Sequence, residues 1–324
     1  MSDKKNKMKS QIFNVRKLIK SRRDIANFSF ILISILLIIT AALTIKYFFS
    51  QQNISNLFRQ IVTNGLLSLG MLIVIVSGGI DLSIGPIVAL TGILAAGLQE
   101  FMPFPLAILI ALAAGMLCGF INGFLVAKFN LQSFIVTLAT MGAIRGIVYV
   151  YSETPKTPID AAFRTMLGGG FLGPIPIPAI IMICCFPIMW IFLNRTIMGR
   201  SIVAIGGNEE AVRLAGINVK NHKILAFTFS GLFAGLAGVL LASRLGISQP
   251  SVGAGYELDA IAAVVIGGGI LGGGGGSIIG TLGGVFALGL IDNLLNLLNV
   301  QSYYQQIFKG LIILIAVIAR RKDK

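Results

Sequence analysis

The chain has 324 residues, of which 56% are hydrophobic and only 12% are charged, and its formal net charge is +14. Soluble domains carry about 25% charged residues, so this balance excludes an ordinary water-soluble protein, whose surface could not cover so much apolar side chain. The positive charge does not indicate nucleic-acid binding, because the Lys and Arg residues cluster beside apolar stretches and no groove-reading motif accompanies them.

Long apolar segments recur along the chain, and a helix needs about 20 mostly apolar residues to cross a bilayer. Segments such as Phe30–Thr40 are apolar on every side, whereas the strands of membrane barrels alternate, so the predicted fold class is all-α and polytopic. The first segment is interpreted as a retained span and not as a cleaved signal peptide. About ten transmembrane helices are predicted, at 28–49, 57–77, 82–98, 104–127, 134–151, 177–193, 224–244, 258–272, 277–298 and 302–319.

Basic residues concentrate in loops on the cytoplasmic side of membrane proteins. With ten spans, nineteen Lys and Arg residues fall on the side of the two termini and four on the other side, so both termini are predicted to be cytoplasmic. The predicted domains are a basic N-terminal segment at 1–27, a transmembrane domain at 28–319 and a basic tail at 320–324. The longest polar loops are an outer one at 152–176 and a cytoplasmic one at 194–223.

Two Gly-rich segments break the apolar pattern. Ser77–Gly85 (SGGIDLSIG) places Asp81 between two spans, where a carboxylate needs partners or a wet cavity. The alternative is an ordinary cytoplasmic turn, in which Asp81 and Ser83 cap the next helix. Val265–Gly280 (VIGGGILGGGGGSIIG) has a similar order of apolar run, Gly cluster and Ser-Ile, as in transporters built from two related halves.

Broken helices of this kind border transport pathways, so both segments are predicted to do so. Gly79 and Gly268 are expected to adopt backbone angles that a Cβ would penalise. The candidate pathway residues are Gly78, Gly79, Asp81, Ser83, Gly267, Gly268, Gly269 and Asp292.

Other glycines and charges inside the spans have simpler explanations. Glycines at four-residue spacing predict close helix packing, and the two such series are Gly115, Gly119 and Gly123, and Gly276, Gly280 and Gly284. The ionisable residues Arg145, Asp292 and Lys309 are expected to form pairs within the membrane, whereas Arg59 and Glu257 are expected near the outer surface.

No catalytic chemistry is predicted. Gly267, Gly269 and Gly272 imitate a dinucleotide-binding fingerprint, but both flanks are membrane spans and not a βαβ unit. The chain contains no Gly-Lys-Ser/Thr phosphate-binding loop, no nucleophile–base pair, and no metal-ligand spacing around its single histidine, His222. We therefore expect neither an enzyme nor a metal or cofactor site.

The cytoplasmic loop contains a predicted short helix over Asn208–Gly216 (NEEAVRLAG). Asn208 can cap its N-terminus, two glutamates suit its first turn, and Gly216 can end it. Two turns are marginally stable alone, so the helix needs a protein partner or, alternatively, the inner surface of its own chain. Its residues are Asn208, Glu209, Glu210, Ala211, Val212, Arg213, Leu214, Ala215 and Gly216.

Taken in order, these motifs resemble the ribose-type permease subunits of bacterial ABC sugar importers. The resemblance covers nearly the whole chain from about Asn53. It rests on four parts of the sequence. These are Gly65–Met71 together with the SGGIDLSIG segment that follows it, Gly199–Val219 (GRSIVAIGGNEEAVRLAGINV), Gly255–Ile266 (GYELDAIAAVVI) and Lys309–Val317 (KGLIILIAV). The chain departs from the family in its second Gly-rich segment, which lacks the small polar and basic residues often found there.

The resemblance implies a multi-pass subunit of the bacterial cell membrane that translocates a sugar. Its implied partners are a second permease copy or paralogue, separate ATPase subunits that dock on Gly199–Val219, and an extracytoplasmic solute-binding protein. Relatives carry pentoses, hexoses, a furanosyl signalling molecule, nucleosides or branched-chain amino acids, so the solute stays open. The alternative function is a stand-alone secondary transporter or channel, which would need no ATPase.

Overall fold

The computed structural model describes residue 39 and residues 45–321, and most of that part is helical. Residues 47–324 form one compact unit, and residues 1–46 form a separate one, of which only residues 39, 45 and 46 are described. The predicted basic segment 1–27, most of the predicted first span and the last three residues of the tail lie outside the described residues.

The helices follow the predicted spans closely, and most boundaries differ by only a few residues. The helices of 14 or more residues are α1 (Gln51–Val76), α2 (Ile84–Gly97), α3 (Phe104–Phe129), α4 (Ser133–Tyr151), α5 (Ile177–Arg195), α8 (Val219–Leu245), α10 (Ile278–Leu297) and α11 (Ser302–Arg321). The shorter ones are α6 (Ile197–Gly207), α7 (Glu209–Leu214) and α9 (Tyr256–Ile266). A 3₁₀ turn (Leu98–Glu100), a π-helical turn (Phe163–Gly169) and a two-stranded hairpin, β1 (Phe171–Leu172) with β2 (Ile175–Pro176), complete the described part.

Local sequence explains where several helices begin and end. Ser50 and Ser277 cap α1 and α10, since their hydroxyls accept from the amides of Asn53 and Gly280. Helix α8 ends at Gly246, which has a φ of +65° and so adopts the left-handed conformation that commonly closes helices.

Six helices of the described part are long and apolar enough to cross a membrane: α1, α3, α4, α5, α8 and α10. The chain is therefore a multi-pass helical membrane protein. Two predicted spans are shorter: α2 has 14 residues, and α9 has 11 because it ends at Gly267 and leaves the rest of 258–272 to the Gly-rich segment. At 1.5 Å per residue, α9 is about 16 Å long, roughly half of a bilayer core. Ten spans and cytoplasmic termini stay predictions.

Helix α8 lies at the centre and packs against α1, α2 and α3. The glycines of α3 allow this approach, because a Cβ on Gly119 would overlap the Phe227 carbonyl and one on Gly123 would lie 2.7 Å from the Ile224 Cα. On the other side of α1, Gly284 of α10 meets the Ala263 carbonyl of α9 in the same way. The predicted close packing is confirmed for these helix pairs, whereas Gly276 lies before α10 and faces side chains of α1.

Candidate functional site

The two Gly-rich segments end their helices with the same turn. In the first, the Gly79 amide donates to the Val74 carbonyl at 2.9 Å, and Gly78 has a φ of +90°. In the second, the Gly269 amide donates to the Val264 carbonyl at 2.8 Å, and Gly268 has a φ of +106°. Both are Schellman turns, in which a left-handed glycine follows the last helical turn. The likeness seen in sequence therefore extends to backbone geometry.

The expectation for Gly79 needs a correction. Gly78, and not Gly79, has the positive φ in the first segment, whereas Gly268 has it as expected in the second. Gly79 is constrained by space instead, since an added Cβ would lie 3.1 Å from Val74 Cγ1 and 3.2 Å from Phe227 Cζ. The sequence could not separate the two adjacent glycines, because which one adopts the left-handed conformation depends on the residue at which α1 ends.

Asp81 is the centre of a buried polar network. It is fully buried, and its Oδ1 accepts from the amide of Ser83 at 3.0 Å and from its hydroxyl at 2.6 Å. The Ser230 hydroxyl of α8 donates to Asp81 Oδ2 at 2.8 Å, and Asn122 of α3 donates to the Ser83 hydroxyl at 2.7 Å. The Asp81 carboxylate thus fixes the first Gly-rich segment to α8, and the Ser83 hydroxyl fixes it to α3. The predicted capping of α2 is wrong, because Ser83 at the N-cap makes no side-chain capping hydrogen bond and Asp81 accepts from Ser83 ahead of the helix. A role of Asp81 beside the pathway stays a prediction.

The start of α4 holds the same segment from another side. The Ser133 hydroxyl accepts from the Ile80 amide at 3.0 Å, and the Thr137 hydroxyl donates to the Ile80 carbonyl at 3.2 Å. A pocket of about 210 Å³ opens beside this contact. Its lining comes from the first Gly-rich segment, from the α3–α4 turn and from α8: Ser77, Gly78, Gly79, Val126, Leu131, Gln132, Ser133, Phe134, Lys223 and Phe227.

Asp292 belongs to a different cluster. Lys309 of α11 lies between two carboxylates, 3.0 Å from Asp259 of α9 and 3.1 Å from Asp292 of α10. The predicted pairing of Asp292 with Lys309 is confirmed. Arg145 does not join them, because its guanidinium donates to the backbone carbonyls of Pro250 and Val252. Sequence reasoning missed these partners, since carbonyl acceptors leave no charge pattern to detect.

Arg59 and Glu257, the two charged residues expected near the outer surface, lie in different surroundings. Arg59 lies beside the β1–β2 hairpin, with its guanidinium 4.8 Å from the Phe171 ring centroid. Glu257 is 94% buried, and its Oε1 accepts from the Gly255 amide at 3.2 Å. Glu257 is therefore part of the packed interior at the start of α9.

Replacing Lys309 with Met should destabilise the protein. The side chains of Lys309, Asp259 and Asp292 are all less than a quarter exposed, so the change leaves two carboxylates close together without their cation. Breaking a buried ion pair by removing one partner costs about 3–5 kcal/mol. A thermal unfolding scan in detergent should give a lower midpoint for Lys309→Met, whereas Lys220→Met, at an exposed lysine, should leave it unchanged. Equal midpoints would show that the cluster contributes little.

The short helix predicted in the loop 194–223 is present as α7. Asn208 caps it, since its Oδ1 accepts from the Ala211 amide at 2.9 Å, and Gly216 has a φ of +80° after its end. Arg213 donates to Glu210 at 2.6 Å, and this hydrogen bond lowers the pKa of the glutamate. Lys223 of α8 lies 2.7 Å from Glu209 and ties the start of α7 to the body of the protein.

The apolar residues of α7 face two ways. Val212 is buried and packs with Ile205 of α6 and with Val219 of α8, so it contacts its own chain. Leu214 is 77% exposed, and the side chains of Ala211 and Ala215 are exposed as well. One face of α7 therefore rests on the protein, while the other presents apolar surface outward.

A third glycine cluster, which was not predicted from the sequence, joins the end of α6 to the end of α1 and to the second Gly-rich segment. Gly206, at the end of α6, packs directly against the backbone of Val76 and Gly274. The Gly274 amide donates to the Val76 carbonyl at 3.0 Å, so the second Gly-rich segment contacts the end of α1. The available signal was the Gly206–Gly207 doublet in the last turn of α6, where two adjacent glycines lower helix propensity.

Comparisons with known proteins show the family of the chain. Residues 53–317 match the family described as branched-chain amino acid transport system / permease component. The ribose import permease protein of Haemophilus influenzae is 45% identical over 298 residues, which cover 90% of this chain and 91% of that protein. Its counterpart in Bacillus subtilis is 46% identical over 89% of this chain and 90% of the relative.

The L-arabinose transport system permease protein of Escherichia coli is 37% identical, over 88% of this chain and 87% of its own length. No solved structure matches the chain. Full-length matches at this level of identity show common descent and a common fold. The chain therefore belongs to this family of permease components, in the ribose-type group of ABC importers that the motifs predicted.

Proposed function

We propose that this protein is the membrane-spanning subunit of an ATP-binding-cassette importer that translocates ribose or a related monosaccharide. The observation that carries the proposal is the similarity, over about nine-tenths of both chains, to two ribose import permease proteins. The relative named for L-arabinose transport extends the solute class to pentoses in general. The protein has no enzymatic function in this proposal, since hydrolysis belongs to a separate ATPase.

The proposed topology has ten spans and cytoplasmic termini in the bacterial inner or plasma membrane, with the basic segment 1–27, the transmembrane domain 28–319 and the tail 320–324 as its parts. The nineteen-to-four division of basic residues supports this orientation. In this arrangement the loop 194–223, which contains α7, faces the ATPase subunits.

Helix α7 is the proposed docking element for the ATPase. The support is its divided surface, because Val212 anchors it to α6 and α8 while Leu214, Ala211 and Ala215 remain exposed. Exposed apolar residues on a capped, two-turn helix in a cytoplasmic loop suit burial in a groove of another protein. ATP-driven closure of the ATPase pair would move α7 and thereby switch access to the pathway.

A second permease, identical or paralogous, is the proposed membrane partner. Helix α4 supports this, because an added Cβ at Gly142 or Gly146 would meet no described atom within 4 Å. The glycines of α3, in contrast, are packed against α8. Small residues at four-residue spacing on an open helix face allow a second helix to approach closely.

The solute pathway is proposed to run beside the two Gly-rich segments, with Gly78, Gly79, Asp81, Ser83, Gly267, Gly268 and Gly269 as its bordering residues. Their support is the shared turn geometry and the buried Asp81 network. Asp292, the eighth predicted pathway residue, pairs with Lys309 in a separate cluster, and its position along the pathway stays a prediction.

Reconstituted transport tests this function against the alternative. Proteoliposomes containing the permease and the ATPase encoded with it should accumulate labelled ribose only when ATP and the solute-binding protein are both present. Replacing the ATPase with a variant that cannot hydrolyse ATP should abolish accumulation. Ribose entry through the permease alone, or entry driven by an ion gradient, would instead establish a stand-alone channel or secondary transporter.

A further inference from the structure

We propose that the contact between the end of α6 and the two Gly-rich segments transmits the movement of α7 to both segments, with Gly206 as a positioning residue for transport. This contact, here called the glycine junction, consists of Gly78, Gly206, Gly273, Gly274 and the carbonyl group of Val76. The inference rests on the proposed function, since it assumes that α7 receives the force of the ATPase.

The glycine junction is made of backbone atoms in direct contact. A Cβ added to Gly206 would overlap the Val76 carbonyl oxygen and lie 2.5 Å from the Gly274 amide nitrogen. A Cβ added to Gly273 would lie 2.8 Å from the Cα atoms of both Gly206 and Gly78. Three chain segments thus meet at one point with no side chain between them.

Helix α7 is firmly attached to this point. The Asn208 amide donates to the Ala204 carbonyl at 3.0 Å, so the cap of α7 is also the end of α6. Val212 of α7 packs against Ile205, the residue just before Gly206. A force applied to α7 therefore reaches Gly206 within one helical turn.

The glycine junction is equally well attached to both Gly-rich segments. Val76 is the last residue of α1, and the end of a helix leaves carbonyl groups without partners inside the helix. The Gly274 amide supplies the partner for Val76 at 3.0 Å. Side chains could absorb a displacement by changing rotamer, whereas close-packed backbone cannot, so a shift of α6 must move both segments or separate the contact.

The sequence offers a matched pair of variants for the test. Gly206 and Gly207 are neighbours in the last turn of α6, and alanine at either position improves helix propensity equally. At Gly207, however, the added Cβ would meet nothing nearer than the Gly274 Cα at 3.9 Å, an ordinary contact. Any difference between the two variants therefore reports on the glycine junction.

The experiment measures ATP-dependent ribose uptake and ATP hydrolysis by the permease–ATPase complex, with and without the solute-binding protein. In Gly206→Ala we expect a complex that assembles and hydrolyses ATP, with uptake lowered about tenfold and with weaker stimulation of hydrolysis by the binding protein. Gly207→Ala should stay within about twofold of the wild type. Equal uptake by both variants, while the wild type transports, would overturn the inference and leave the proposed function intact. A wild type that needs no ATPase would overturn the proposed function itself.

If Gly206→Ala fails to assemble with the ATPase, a second measurement tests whether α7 and the second Gly-rich segment move together. Spin labels at Arg213→Cys and Gly272→Cys, in a variant without native cysteines, report the distance between α7 and the second Gly-rich segment with an intact glycine junction. Both sites are open, since the Arg213 side chain is 67% exposed and lies away from the Ala211, Leu214 and Ala215 face, and a Cβ at Gly272 meets no described atom within 4 Å. The distance should stay within about 2 Å between nucleotide-free and ATP-bound complexes, and a change of one helical turn, about 5 Å, would show that α7 moves independently.

Discussion

Replacing Gly78 with valine is expected to reduce solute uptake to the level of membranes without the permease. Gly78 has a φ of +90°, a conformation that is a genuine outlier for a β-branched residue. Space is not the obstacle, because an added Cβ would lie 3.7 Å from the Gly206 Cα. Valine would therefore force the turn after α1 into another conformation and displace Asp81 from its partners.

The matched control is Gly78→Asn, since asparagine tolerates left-handed conformations far better than valine. Quantitative immunoblots of membranes should show similar amounts of both variants, because the long helices that direct insertion are unchanged. Gly268→Val should behave like Gly78→Val, since Gly268 occupies the same position of the same kind of turn. Uptake at the wild-type rate by either valine variant would mean that the Gly-rich segments are ordinary connecting turns.

The helices were predictable because their signals are local. A run of apolar residues with a cap such as Ser277 at its start contains its own boundary information, and the structure begins α10 within one residue of the prediction. The same holds for α7, whose cap, first-turn charges and closing glycine all lie within nine residues. Prediction failed for α9, where the apolar character of residues 258–272 continues through glycines that end the helix at Ile266.

The site was only partly predictable, because its contacts join distant parts of the chain. Asp81 was identifiable as a costly residue, yet Ser230, one of its partners, lies 149 positions further along the sequence. Arg145 was expected to pair with a carboxylate, but carbonyl groups satisfy it. Gly206 has no distinguishing local feature beyond its glycine neighbour, and its importance follows only from the three segments that meet around it.

Val212 illustrates the same limit on a smaller scale. In the sequence it is one of four apolar residues on a short helix, and all four could serve a partner protein. The structure divides them, because the loop returns into α8 and brings Val219 against Val212, whereas Leu214 stays 77% exposed. This division identifies Leu214 as the residue of α7 through which docking on the ATPase can be tested.

Leu214→Glu should weaken ATPase association and lower uptake together. Burying a leucine side chain is worth about 1.5–3 kcal/mol, so its loss alone should raise the Kd of the complex about ten- to a hundredfold. The new carboxylate adds a desolvation cost and lies at the C-terminal end of α7, where the helix dipole disfavours negative charge. Ala215→Glu should act in the same direction with a smaller effect, because alanine offers less apolar surface.

The matched control for this last prediction is Leu214→Met, which preserves apolar volume and should keep both association and uptake near the wild type. Co-purification of the ATPase with tagged permease measures association, and a thermal unfolding scan of the permease alone checks that the exposed position leaves its fold unchanged. The two readouts should fall together in Leu214→Glu, because an importer whose ATPase cannot dock has no source of movement for α7. If Leu214→Glu retained its ATPase and transported normally, α7 would instead be a helix that only covers the inner surface of its own chain through Val212.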